Sequence, residues 1–89
     1  MAKIIYAEEL LDDAAAIWSS SVQRHLVKAL QAIEAFPELG SANIPESIRE
    51  RYGARVRKMA IRPFDLVYEY DSEADVVLVY GLVPFRQAR

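Results

Sequence analysis

The sequence predicts an α+β domain in which a helical hairpin packs on a mostly antiparallel four-stranded sheet, in the order β-α-α-β-β-β. Three observations carry this. A short β-prone run opens the chain, two apolar stripes at helical spacing follow it, and three β-like segments fill the second half. With 89 residues, the chain is expected to form one domain over 1–89 rather than two.

Lys3-Ile4-Ile5-Tyr6 is the first strand. Glu8 and Glu9 then suit a helix first turn, where negative charge meets the positive end of the helix dipole. Leu10, Leu11, Ala14, Ala15, Ile17 and Trp18 recur at helical spacing, so helix 1 is read as 8–19. Ser19-Ser20-Ser21 supplies capping side chains and breaks the pattern. Val22, Leu26, Ala29, Leu30 and Ile33 form the stripe of helix 2 over 21–35, which stops at Phe36-Pro37 because proline disfavours helix in the residue before it. The alternative is one unbroken helix across the serines. In the hairpin reading, Leu10, Ala14, Trp18, Leu26, Leu30 and Ile33 face the sheet.

Residues 40–45 are loop. Pro45 fits a first helical position and Gly53 a helix end, so Glu46–Tyr52 is read as one or two turns. Arg55–Ile61 is strand 2, closed by Pro63. In Phe64–Tyr70 the even positions are apolar or aromatic while Asp65 and Glu69 point the other way, a strand with one face on the core. A polar hairpin loop runs from Asp71 to Asp75. Val76–Val83 is apolar on both faces, so strand 4 is placed inside the sheet. The helices are expected together on one side of that sheet.

Composition narrows the function. The chain has no cysteine and a single histidine, which argues against disulfides and against thiolate or multi-histidine metal centres. No cofactor is expected. No apolar run approaches the roughly 20 residues of a membrane span, and no signal-peptide core is evident, so a cytoplasmic location is expected. The net charge of −2 is unevenly spread. Arg49, Arg51, Arg55, Arg57, Lys58 and Arg62 stand against only Glu50, whereas Asp65–Asp75 holds five acids and no base. Such a basic segment is either a solvated face or a contact surface for an acidic partner. The mildly acidic remainder argues against sequence-specific DNA binding by this chain alone. His25 on helix 2 has no neighbouring nucleophile or acid in the sequence and reads as a surface or packing residue.

The ordered set Val56-Arg57-Lys58-Met59, Phe64-Asp65-Leu66-Val67-Tyr68-Glu69 and Val77-Leu78-Val79-Tyr80-Gly81-Leu82, ending at Arg86, resembles the RelE/ParE toxins over essentially the whole chain. The hairpin closed by Phe36-Pro37 matches as well. The resemblance implies the toxin half of a type II toxin–antitoxin pair, neutralised by a cognate antitoxin. The family contains ribosome-dependent messenger RNA endoribonucleases and gyrase inhibitors, so DNA gyrase and the ribosome are the two targets it implies.

For a ribonuclease of this kind, the resemblance places Glu46 as base, with Arg49, Arg57 and Arg86 as the cations facing the phosphate. Two departures weaken that assignment. The family's strand-3 arginine is Asp65 here, and a carboxylate repels a phosphate. The family's histidine or tyrosine near the end of strand 4 is replaced by Val83-Pro84-Phe85. The sequence therefore favours a gyrase-directed toxin that binds through Arg55, Arg57, Lys58, Arg62 and Arg86. A ribonuclease is the alternative, and so is a toxin reduced to an antitoxin-bound corepressor.

Overall fold

The computed structural model describes residues 2–85. Strand β1 (Lys3–Tyr6) leads into helices α1 (Glu8–Ala15) and α2 (Ser20–Ala35), followed by α3 (Glu46–Tyr52) and strands β2 (Arg57–Ala60), β3 (Phe64–Asp71) and β4 (Val76–Pro84). The sheet order is β1-β4-β3-β2, with β1 parallel to β4 and the other pairs antiparallel. Strand 4 is interior, as its two-sided apolar sequence predicts.

The hairpin turns earlier than the sequence suggests. Helix α1 ends at Ala15, and Ser19 caps α2 by accepting a hydrogen bond from the Val22 amide at 3.4 Å. Ile17 turns inward, its carbonyl held at 2.9 Å by the Gln23 side-chain amide. Trp18 is thereby left on the turn, 95% exposed, and not in the layer facing the sheet. Helical periodicity cannot place a side chain beyond the last helical turn, and that is where the expectation for Trp18 fails.

Alternation along β3 divides the interior in two. Leu66 and Tyr68 join Leu10, Leu26, Ala29, Ile33, Val77 and Val79 beneath the hairpin. Val67 points the other way, into a second core with Ile44, Ile48, Val56 and Val83. The helices therefore do not all lie on one side: α3 covers part of the opposite face. β3 is consequently buried on both faces from Asp65 to Tyr68, where the sequence suggested a half-buried strand.

β2 is shorter than Arg55–Ile61. Its outer edge is closed at Lys58, which exchanges backbone hydrogen bonds with Ser41 at 2.9 and 3.0 Å. In β4, Val67 pairs with Gly81 but Tyr68 with Val79, leaving Tyr80 as the extra residue of a bulge. The bulge shifts the phase of the strand. Val79 and Leu82 both reach the hairpin-side core, while Tyr80 and Val83 face α3.

Candidate functional site

The basic segment does not form one patch. Arg57 pairs across the sheet with Tyr68, and Lys58 with Val67, so the pleat places the two cations on opposite faces. Arg57 closes the foot of the hairpin, donating to the carbonyls of Glu38 at 3.2 Å and Gly40 at 2.8 Å. Beside it the Tyr68 hydroxyl accepts from the Gly40 amide and donates to the Pro37 carbonyl, each at 2.8 Å. Burial pushes the Tyr68 phenol above its ordinary value, so it stays a neutral hydrogen-bonding group.

Lys58 lies on the α3 side, with its Nζ 3.9 Å from Asp65 Oδ2. Asp65 is 4% exposed. Desolvation raises its carboxyl above the ordinary value of 3.8, and the Lys58 ammonium opposes that shift. Further along β3, on this same side, Glu69 accepts from the Tyr80 hydroxyl at 3.2 Å. Burial, then the Glu69 charge, raises the Tyr80 phenol.

Glu46 and Arg49 are exposed on α3 and pair with each other at 3.8 Å. Arg55 and Arg62 are exposed. Arg55 borders a polar hollow with Glu69, Tyr70, Asp71, Ser72 and Glu73. Arg86 lies outside the described residues. Of the expected site residues, Arg57 and Lys58 are thus already engaged within the fold, and Glu46 and Arg49 engage each other. Among the described residues, no three of His, Cys, Asp or Glu converge as metal ligands. No helix among the described residues is long and apolar enough to cross a membrane.

The sequence reading missed a polar cluster where α1 meets α3. Glu9 accepts from the Tyr52 hydroxyl at 2.6 Å and from the Arg51 guanidinium, which also lies 5.0 Å over the Tyr52 ring. Tyr52 stacks on Tyr80 at 5.8 Å. Burial, and then the bond to Glu9, drives the Tyr52 phenol far above its usual range, so it remains a hydrogen-bond donor. Asp13 accepts the Leu82 amide at 3.0 Å, closing the edge of β4 beyond the end of β1. This packing needs Gly81. A Cβ there would sit 2.5 Å from Glu9 Oε2 and 3.1 Å from both Asp13 Oδ2 and the Tyr52 hydroxyl. A glycine inside a strand was the available signal.

No protein-family model matches the chain, and no curated protein does. Solved structures do match its fold. RelE in the intact E. coli RelBE toxin–antitoxin complex superposes with a TM-score of 0.71 at 20% identity, covering 94% of this chain and 96% of that one. The isolated E. coli RelE toxin gives 0.70 at 20% identity, over 94% and 84%. The archaeal RelE–RelB complex from Pyrococcus horikoshii OT3 gives 0.69 at 12% identity, over 98% of each chain. The chain has the fold of the RelE toxins: three helices on a mixed four-stranded sheet.

Proposed function

We propose that this chain is the toxin of a toxin–antitoxin pair of the RelE kind, acting in the cytoplasm on the ribosome and neutralised by an antitoxin. One observation carries the reading. The likeness to RelE spans nearly the full length of both chains rather than a shared core, with 94% and 96% covered. The gyrase-directed reading has no counterpart among these neighbours, and the ribosomal alternative takes its place.

Two of the neighbours were solved with their RelB partner, which supports an antitoxin here. An acidic antitoxin segment would be drawn to the exposed guanidinium groups of Arg49, Arg55 and Arg62. Covering them would hide the contacts with a polyanionic target. For RNA cleavage, Glu46 is the candidate base, and Arg49, Arg57 and Arg86 are the candidate phosphate contacts. Lys58 is the further cation on the α3 side of the sheet.

A second reading is favoured by a specific observation. Arg57 Nη1 holds two backbone carbonyls and Lys58 Nζ lies 3.9 Å from Asp65, so both cations already have partners within the fold that a phosphate would have to share or displace. This fits a toxin whose remaining role is to bind its antitoxin and act as corepressor.

Induced expression of the chain, followed by mapping of messenger ends on ribosomes, separates the two. Growth arrest with codon-dependent cleavage that Glu46→Gln or Arg49→Ala abolishes would establish the ribonuclease. Harmless expression with intact messengers would establish the corepressor. Arg55→Glu with Arg62→Glu is expected to slow association with the antitoxin and weaken its salt dependence.

A further inference from the structure

We propose that Asp65 sets the anion affinity of the sheet's α3 side, acting as an internal counter-ion that keeps the Lys58 ammonium from a bound RNA phosphate. The inference rests on the ribosome-directed reading above, since it concerns how that same surface meets RNA.

The geometry is specific to this face. Along β3 the residues alternate, and Leu66 and Tyr68 mark the hairpin side. Asp65, Val67, Glu69 and Asp71 therefore share the α3 side. On β2, Lys58 and Ala60 share it as the partners of Val67 and Asp65. On β4 the residues facing this side are uncharged, Tyr80 and Val83 among them. Strands β2–β4 thus present three carboxylates and one ammonium here, and the ammonium is paired.

The carboxylate is far more buried than its partner: the Asp65 side chain is 6% exposed and that of Lys58 is 29%. A buried carboxylate has little water to screen it, so its field acts on the nearby ammonium at a low effective dielectric. The Lys58 stem is long enough to carry the ammonium out of the sheet. Leaving would strand the Asp65 charge without a partner, which opposes the move. An incoming phosphate must therefore compete with a resident carboxylate for the Lys58 ammonium, the one cation that strands β2–β4 place on this face among the described residues. Replacing the carboxylate by an amide of the same shape removes that competitor.

Asp65→Asn tests this against a short unstructured single-stranded RNA, with binding measured over a range of salt. Relative to the wild type, the variant is expected to bind about tenfold more tightly at low salt, the scale of one charge-assisted contact. Its salt dependence should steepen by about 0.7 in log–log slope, one further phosphate neutralised. Asp65→Asn with Lys58→Met should return to wild-type binding. A gain that survives in the double variant would overturn the proposal, because the carboxylate would then act by direct repulsion. So would Asp65→Asn binding like the wild type while Lys58→Met alone weakens it, because Lys58 would then already be free. If no variant binds the RNA, the proposal falls, and co-sedimentation of the wild type with ribosomes decides whether the ribosomal reading falls with it. Thermal melts verify that the variants are folded.

Discussion

The two faces of the sheet are built from alternate residues of the same strands, yet they do different work. Beneath the hairpin, Ile33, Leu66, Tyr68, Val77 and Val79 are fully covered, and the main polar group is a tyrosine hydroxyl with both hydrogen bonds made. Under α3 the core is smaller, and Lys58, Asp65, Glu69, Tyr52 and Tyr80 stand among its aliphatic side chains. A seven-residue helix covers less surface than a hairpin of eight and sixteen residues, so polar groups on its side remain within reach of a ligand. The hairpin face holds the fold together and carries Arg57 at its foot, while the α3 face carries the Lys58–Asp65 pair and the Glu69–Tyr80 contact.

That division can be broken most directly by cavity substitutions. Ile33→Ala should destabilise the protein by about 4 kcal/mol and Ile48→Ala by about 2 kcal/mol, both within the usual range of about 2–5 kcal/mol for buried aliphatic truncation. Urea denaturation measures both, and equal losses would mean that the α3 face is as much a stability core as the hairpin face. Gly81→Ala attacks the seam between the two. The new methyl group displaces Glu9 from Tyr52 and crowds Asp13, with an expected cost of about 2 kcal/mol. A variant as stable as the wild type would show that Glu9 gives way freely.

Tyr68→Phe probes the buried tyrosine hydroxyl of the hairpin core. Removing the hydroxyl leaves the Gly40 amide and the Pro37 carbonyl without their partner, at an expected cost of about 1–2 kcal/mol. Asp65→Asn probes the opposite face through pH. Burial raises the Asp65 carboxyl in the folded state, so the native protein holds that proton more tightly than the unfolded chain. The stability this confers is complete below the ordinary value of 3.8 and is lost as pH rises through the higher folded value. The asparagine variant does not titrate there. It should therefore be more stable than the wild type at neutral pH, with the gap closing toward acid. A constant gap across that range would show that Asp65 titrates as it does when unfolded. The smallest effect is expected at Trp18→Ala, within about 0.5 kcal/mol of the wild type, because the ring is exposed. A clear loss of melting temperature would return Trp18 to the core.

The sequence by itself determined the element order, the hairpin, the interior place of strand 4 and the shared phase of Asp65 and Glu69, opposite to the hairpin-side residues of β3, but not that α3 buries Asp65. These follow from local periodicity, which is a property of neighbouring residues. It also marked Lys58 and Asp65 as residues of interest, but it could not pair them. Seven positions apart in the chain, they meet only because β2 and β3 align Lys58 with Val67 and Ala60 with Asp65. Register likewise decided that Arg57 serves the hairpin foot while Lys58 serves the other face, although they are adjacent in the sequence. Trp18 shows the same limit from the helical side: its spacing fits the apolar stripe of helix 1, but α1 ends three residues earlier. The Glu9–Tyr52–Gly81 meeting joins three elements distant in the chain, through a bulge at Tyr80 that no local pattern announces. Periodicity fixes which way a side chain points within an element, while register, bulges and helix ends decide what it meets there.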